Sequence, residues 1–316
     1  MIDELLEIKE KIYKEIGKVI IGQRDVIEGI LIALFSKGHV LLEGVPGTAK
    51  TLLAKAISKC LNLEFKRVQF TPDLMPADII GTNIFDLKSS SFRLTKGPIF
   101  TDILLGDEIN RAPPKTQSAL LEAMQERQVS IDGVSYPLGE FFMVIATQNP
   151  IEYEGTYPLP EAQLDRFMLK LKVNYPELEE EKEILKRTEL VLESGKIEDI
   201  EIILDKDDIK KIRESLKESV IIKDEIIDYV LKIIRTARQW PSLLYGPGPR
   251  AGVHLIIASK WKAIFEGRDY VIPDDVKAMA SSVLAHRVIP ISEIIGEEKN
   301  IYKIIDDIIN HIPVPR

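Results

Sequence analysis

The sequence is poor in the residues that most often form disulfides and metal centres. One cysteine, Cys60, occurs among 316 residues, and a single cysteine cannot form a disulfide within the chain. Because Cys60 continues an apolar helical pattern, we interpret it as a small core residue rather than a reactive thiol. No two histidines have helical metal-ligand spacing, so we expect core or surface roles for His39, His254, His286 and His311.

Long apolar runs are also missing. The longest candidate, residues 30–35, is far shorter than the roughly 20 residues that cross a bilayer. The acidic start, Met1-Ile2-Asp3-Glu4, is unlike the basic start of a signal peptide. We therefore expect a cytoplasmic protein without a transmembrane segment, which leaves a peripheral membrane partner open.

The chain has no excess of basic residues. Its net charge is −8, and residues 177–208 alone hold 13 acidic and 5 basic residues, which gives 5 − 13 = −8. The remainder is therefore balanced, and it shows no basic face typical of a general nucleic-acid binder. This argues against nucleic acid as a partner, although an oligomer could still gather a few lysines from its subunits at one site.

The first half of the chain alternates apolar strands with amphipathic helices. We predict strands at 39–42, 64–70, 101–107, 141–147 and 167–173, with helices at 51–61 and 116–125 between them. This alternation predicts an α/β fold with a parallel five-stranded sheet and helices on both faces. Two inserted hairpins are predicted at 83–95 and 128–137, the second around the tight-turn pair Asp132-Gly133.

The pattern changes after residue 176, where strands give way to helices. We predict helices at 222–238, 251–265 and 274–288. The sequence is thus divided into an α/β core with inserted hairpins at 1–176, an acidic connector at 177–204 and a helical domain at 205–316.

A phosphate-binding loop follows the first predicted strand. Its spacing matches G-x-x-x-x-G-K-[ST] except that alanine replaces the last glycine, and its residues are Gly44, Val45, Pro46, Gly47, Thr48, Ala49, Lys50 and Thr51. Backbone N–H groups of such a loop surround a β-phosphate, the lysine reaches the β- and γ-phosphates, and the threonine hydroxyl binds Mg²⁺. Alanine is small and fits helical backbone, so the phosphate can still approach closely if position 49 is already helical. The alternative is a glycine-rich turn with a chance Lys-Thr pair.

An acidic pair ends the third predicted strand. Asp107 would lie at the carboxyl edge of the sheet, where ligands of α/β proteins bind, and would hold Mg²⁺ through water. Glu108 is then the candidate that polarises the attacking water. Alternatively, this pair simply begins a loop.

With these motifs placed, the sequence resembles the MoxR family of AAA+ ATPases. The similar segments are 69–79, 107–117, 146–150, 159–167 and, more thinly in the second half, 248–251. The resemblance implies a P-loop AAA+ core followed by a smaller all-α lid domain, with ATP and Mg²⁺ as cofactors.

The resemblance also implies roles that spacing alone does not give. Asn149 corresponds to sensor 1, Arg166 to an arginine finger for the neighbouring subunit, and Arg250 to sensor 2. Ile21 and Gly22 correspond to the segment around adenine. Each role has an alternative. Asn149 could belong to a turn-forming Asn-Pro pair, and Arg166 could form a salt bridge with Asp165 or Glu161. Arg250 could be an arginine at a helix start that binds no ligand, and Ile21-Gly22 could be an ordinary apolar entry to a helix.

By the same resemblance, the chain is an ATP-hydrolysing ring motor, a homo-oligomer and most typically a hexamer. It would remodel, assemble or mature protein complexes, with a protein client or a von Willebrand A domain adaptor as partner. Phe85, Phe92 and Tyr136 on the hairpins are candidates for client contact, although hairpin packing also explains them. The alternatives are a DNA-acting, helicase-like motor or a chelatase motor subunit. A switch GTPase or small kinase is disfavoured, because the chain lacks an Asn-Lys-x-Asp motif.

Overall fold

The computed structural model describes residues 2–86, 90–149, 155–187, 197–291 and 299–315. Within those ranges the strands, numbered along the chain, are β1 (Val40–Glu43), β2 (Phe65–Gln69), β3 (Gly81–Asp86), β4 (Ser91–Lys96), β5 (Ile103–Asp107), β6 (Gln128–Ile131), β7 (Val134–Pro137), β8 (Met143–Gln148), β9 (Leu169–Lys172), β10 (Leu243–Tyr245) and β11 (Ile289–Pro290).

The α-helices are numbered in the same way. They are α1 (Ile2–Ile16), α2 (Arg24–Phe35), α3 (Lys50–Cys60), α4 (Pro76–Ile80), α5 (Pro114–Glu126), α6 (Glu161–Leu164), α7 (Leu178–Lys186), α8 (Lys206–Ser219), α9 (Asp224–Arg238), α10 (Pro249–Phe265), α11 (Pro273–Leu284) and α12 (Lys299–His311). No described helix is long and apolar enough to cross a membrane.

The central sheet confirms the predicted architecture. Its strand order is β2-β5-β8-β1-β9, and every neighbouring pair is parallel. Successive residues of a strand point to opposite faces of the sheet, so Leu41 and Leu42 enter two different hydrophobic clusters, and both are fully buried. Helices cover both faces, and all strand ends that bear polar motifs meet at one carboxyl edge.

Both predicted hairpins are present. β3 pairs with β4 from Gly81 opposite Lys96 to Asp86 opposite Ser91, and β6 pairs with β7. Asp132 and Gly133 have φ values of 49° and 80°, as a two-residue turn with positive φ at both positions requires. The turn of the first hairpin, residues 87–89, lies outside the described residues.

The second half is the predicted helical lid with further elements. A short antiparallel pair, β10 with β11, interrupts the helices, and neither α8 nor α12 was predicted. The helices α1 and α2 were also not predicted, and they join the lid to the sheet domain in one hydrophobic cluster. Trp261 of α10, for example, stacks on Phe35 of α2 with ring centroids 5.0 Å apart. The three domain boundaries stay predictions.

The acidic segment 177–204 holds α7 and a short 3₁₀ turn at Ile197–Asp199, with residues 188–196 outside the described part. Its last residues dock on the core, where Ile203 N donates to Cys60 O at 2.8 Å. Burial raises the pKa of the Cys60 thiol to about 12, which agrees with a core role. Among the described residues, no group of three or more His, Cys, Asp or Glu side chains is placed to hold a metal ion.

Candidate nucleotide-binding site

The predicted phosphate loop connects β1 to the N-terminus of α3 at the carboxyl edge of the sheet. It borders a cavity of about 410 Å³, lined by Pro46, Gly47, Thr48, Ala49, Lys50, Thr51, Leu52, Asp107, Glu108, Thr147, Gln148 and Asn149. The structure therefore brings the loop, the acidic pair and Asn149 together around one space.

Two glycines give this loop its shape. A Cβ atom at Gly44 would lie 2.5 Å from the carbonyl oxygen of Val173, so only glycine fits against β9 there. Gly47 has φ 82°, in the left-handed region, and a Cβ at this position would meet no atom within 4 Å. The Thr48 hydroxyl closes the loop by donating to Val45 O at 2.9 Å.

The condition stated for Ala49 is not met. Ala49 precedes α3 with φ 57° and ψ 23°, which is left-handed rather than right-handed helical backbone. Glycine adopts this conformation freely, whereas alanine is strained there by roughly 1–2 kcal/mol. The glycine usual at this position of the motif therefore has a conformational reason, and this chain keeps the loop geometry at a cost.

Lys50 is poised for an anion. Its Nζ donates to Gly44 O at 2.6 Å and Val45 O at 2.8 Å, and both of these acceptors are neutral carbonyls. Burial lowers the pKa of Lys50, and the nearby charges of Asp107 and Glu108 only partly oppose this shift. A triphosphate in the cavity would replace weak acceptors by charged ones.

Asp107 and Thr51 meet as the sequence predicts. Thr51 Oγ1 lies 3.4 Å from Asp107 Oδ2, while Asp107 Oδ1 accepts a 2.6 Å hydrogen bond from Thr147 Oγ1. The Thr147 oxygen in turn accepts from Glu108 N at 2.9 Å. A buried carboxylate facing a hydroxyl beside a phosphate loop is a donor set that fits Mg²⁺, a hard cation with oxygen ligands.

The neighbouring strand β2 supplies two side chains that sequence reasoning missed. Arg67 Nη2 lies 2.6 Å from Asp107 Oδ2, and Gln69 Nε2 donates to Glu108 Oε2 at 3.0 Å. In the sheet register, Gln69 is directly opposite Asp107. The signal in the sequence that could have revealed them is the polar residues at the end of β2, which pairs with β5, the strand that ends in Asp107.

Glu108 borders the cavity under local strain. Its backbone has φ 57° and ψ 52°, and its carboxylate is also 3.2 Å from Arg111 Nε. Residues in such sparsely populated backbone regions cluster at functional sites.

Asn149 directly follows β8, the strand that pairs with β5 on the side away from β2. It is buried and lines the same cavity.

The two predicted arginines lie apart from this cavity lining. Arg250 Nη1 contacts Asp165 Oδ2 at 3.1 Å, and the buried Arg287 donates to Asp165 Oδ1 at 2.8 Å. In the described part of the chain, Arg166 makes no side-chain hydrogen bond or ion pair, so the alternative of a salt bridge with Asp165 or Glu161 has no support there. The sequence did not predict that Asp165 holds Arg250 beside Arg166.

The predicted adenine segment borders a separate, smaller cavity. Ile21 and Gly22 line about 180 Å³ together with Tyr13, Gly17, Ile20, Arg24, Ile27 and Glu183. Gly22 has φ 76°, and a Cβ there would lie 2.5 Å from the carboxylate of Glu180 on α7. The role of this segment in adenine binding stays a prediction.

Comparisons with known proteins agree with this geometry. Residues 39–169 match the ATPase family associated with various cellular activities (AAA), and residues 235–308 match the AAA lid domain. The chain is 43% identical to the uncharacterized protein YeaC of Bacillus subtilis, over 99% of this chain and 97% of that protein. It is 42% identical to Chaperone MoxR1 of Mycobacterium tuberculosis, over 97% of this chain and 82% of the relative.

One solved structure is similar throughout. It is a crystal structure of a candidate ATPase from Cytophaga hutchinsonii, 40% identical in sequence, with a TM-score of 0.87. The superposition covers 98% of this chain and 97% of the other, so core and lid are matched together.

Proposed function

The chain belongs to the MoxR family of AAA+ ATPases and is itself an ATPase, and we propose that it uses ATP and Mg²⁺ to remodel or assemble protein complexes. The observation that supports this most is the phosphate cavity, where Lys50, Thr51, Asp107, Glu108 and Asn149 meet. Each of these side chains has a task in phosphoryl transfer to water.

ATP binding is the first task. The N–H groups of the loop and the positive end of α3 would hold the β-phosphate, and Lys50 would exchange its two carbonyl acceptors for β- and γ-oxygens. Thr51 and Asp107 would hold Mg²⁺, which neutralises charge on the phosphates when bound.

Hydrolysis is the second task. We assign Glu108 as the base that orients and polarises water, and Asn149 as the amide that positions the water or the γ-phosphate. Gln69 and Arg111 contact the Glu108 carboxylate, so these two side chains would position it for the water. β2 is thereby connected to the catalytic group.

Arg166 and Arg250 are assigned to the nucleotide, Arg166 across a subunit boundary and Arg250 from the lid. Both arginines lie at Asp165, outside the lining of the chain's own phosphate cavity. We propose that a homo-oligomeric ring, most simply a hexamer, places Arg166 on the neighbour's ATP, where an arginine stabilises transition-state charge. Arg250 would join the γ-phosphate by leaving Asp165, which couples the lid to the nucleotide.

A complementation experiment tests this arrangement. Arg166→Ala and Glu108→Gln each inactivate the ring, but a mixture of the two regains ATPase activity if Arg166 serves a neighbour, because a Glu108→Gln subunit still supplies its arginine. The matched control mixes Lys50→Ala with Glu108→Gln, in which no subunit has both an intact phosphate loop and a catalytic glutamate. A mixture as inactive as that control would refute the trans role.

The client is proposed to be a protein. Phe85 and Phe92 stack edge to face on the first hairpin with ring centroids 5.3 Å apart, and Phe92 is 73% exposed. The described surface thus presents apolar groups on an inserted hairpin, which suits a client polypeptide or a von Willebrand A domain adaptor. Tyr136 packs against the core instead, in keeping with a hairpin-packing role.

Nucleic acid is not proposed as the client, because the charge of the chain gives no basic face. ATPase assays with and without double-stranded and single-stranded DNA at moderate salt test this directly. We expect no stimulation, and strong stimulation would favour a DNA-acting motor.

A further inference from the structure

The two oxygens of the Asp107 carboxylate have different partners. Oδ1 accepts from the Thr147 hydroxyl at 2.6 Å and is fixed within the sheet. Oδ2, the oxygen nearest Thr51 Oγ1, accepts from both Nη2 and Nε of Arg67, at 2.6 and 3.1 Å. The guanidinium therefore occupies the side of Asp107 that faces the threonine.

Burial explains why Asp107 has such a partner. Its residue is 9% exposed, and a buried carboxylate without a counter-charge is strongly unfavourable. Lys50, which lines the cavity, donates to backbone carbonyls instead. Hydrogen bonds between charged groups are roughly twice as strong as neutral ones, and Arg67 on Oδ2 together with the Thr147 hydroxyl on Oδ1 holds the carboxylate in one orientation.

Arg67 is nevertheless able to leave. It lies on β2, an edge strand of the sheet, and its side chain is 47% exposed, compared with 12% for Asp107. Its Nη2 also donates to Gln69 Oε1 at 2.8 Å, so Arg67 has a second polar contact beside the site. Moving the guanidinium away from Asp107 exposes it to water rather than burying it.

We propose that Arg67 is a positioning residue that acts as an internal counter-ion for Asp107. It holds the carboxylate oriented before nucleotide binds, and it leaves Oδ2 when Mg²⁺ enters with the nucleotide. This inference rests on the proposed metal role of Asp107. Because the guanidinium and the metal compete for one oxygen, Arg67 weakens Mg²⁺ binding and stabilises the empty site.

The test measures ADP binding by calorimetry at a series of Mg²⁺ concentrations, without turnover. Mg²⁺ should raise the affinity for ADP, and the midpoint is the Mg²⁺ concentration that gives half of this rise. For Arg67→Ala we expect the midpoint to fall roughly tenfold, because the competing contact of Arg67 with Asp107 is removed. The ADP affinity in EDTA should not change. The melting temperature of the empty protein should fall and recover with ADP and Mg²⁺. The control is Lys66→Ala, whose side chain pairs with Glu64 instead.

Two further variants make the result decisive. Arg67→Gln keeps hydrogen-bond donors without charge and should shift the Mg²⁺ dependence in the same direction, which covers a poorly folding alanine variant. An unchanged or raised Mg²⁺ midpoint in both variants would overturn the proposal. Asp107→Asn separates the two claims, since a normal Mg²⁺ response in that variant would refute the metal role of Asp107 itself.

Discussion

Arg250 Nη1 lies 3.1 Å from Oδ2 of Asp165, and this contact joins the lid to the segment that carries Arg166. The other Asp165 oxygen accepts from Arg287, whose side chain is only 1% exposed. Asp165 is thus the shared acceptor of two lid arginines, of which Arg250 is 45% exposed and Arg287 is buried.

Asp165→Asn tests the structural part of this contact. Arg287 would keep its carbonyl acceptors, Val283 O, Phe167 O and Met168 O, but lose its charged partner. We expect the free energy of unfolding in urea to fall by about 2 kcal/mol. Glu161→Gln, a nearby exposed carboxylate on α6, should change it by less than about 0.5 kcal/mol, and equal effects would contradict the assigned role of Asp165.

Glu108→Gln should separate nucleotide binding from hydrolysis. The amide keeps the size of the side chain but cannot accept a proton, so we expect ATP hydrolysis to fall by roughly 10²- to 10⁴-fold while ATP affinity stays within a few-fold. The control is Glu122→Gln on the exposed face of α5, which should hydrolyse ATP normally. Normal turnover by Glu108→Gln would mean that another group is the base.

Ala49→Gly should relieve backbone strain. The left-handed conformation of Ala49 is natural for glycine, so we expect the free energy of unfolding to rise by up to about 1 kcal/mol after the greater chain entropy of glycine is subtracted. Lys55→Gly, in the exposed middle of α3, should instead lower it by about 1 kcal/mol. A loss of stability in both variants would show that Ala49 carries no strain.

The buried His39 should make the protein sensitive to acid. Burial, and then the charge of Arg127, lowers the pKa of His39 to about 3, and its two ring nitrogens contact Met124 O and Val144 N. An unfolded histidine titrates near 6.5, so the folded state binds fewer protons between these values. The stability from neutral His39 is therefore complete above pH 6.5 and is lost as pH falls toward 3.

Urea denaturation across this pH range checks the expected slope. His39→Asn should be less stable than the parent chain at pH 7. Below pH 6.5 its free energy of unfolding should fall less steeply than that of the parent, and the two slopes should differ by about 1.4 kcal/mol per pH unit. Phe142→Leu removes packing against the His39 ring, 5.8 Å away, without removing a titrating group, and it should keep the parent slope. Parallel pH profiles for His39→Asn and the parent chain would exclude the assigned titration.

The sheet and the phosphate site were predictable because their signals are local. The strand bounds agree within about two residues, and β1, β5 and β8 in particular are short apolar runs ended by polar or turn residues. The same holds for Asp132-Gly133 and for the meeting of Thr51 with Asp107, which follows from parallel strands sharing one carboxyl edge.

Other features depend on tertiary packing and were not predictable. To predict the pairing of Arg67 with Asp107, one must know that β2 is next to β5 in the sheet. The sequence does not give this, because a different strand order would produce a similar sequence pattern. The backbone of Ala49 could not be read from residue type, since alanine favours the right-handed helix. The contact of Asp165 with Arg250 joins positions 85 residues apart.

The most direct measurement is a crystal structure of the Glu108→Gln protein with ATP and Mg²⁺. The account predicts β- and γ-phosphates within the loop 44–51, Lys50 Nζ released from the carbonyls of Gly44 and Val45, and the metal beside Thr51 and Asp107. A nucleotide bound elsewhere, with Lys50 still on both carbonyls, would contradict it.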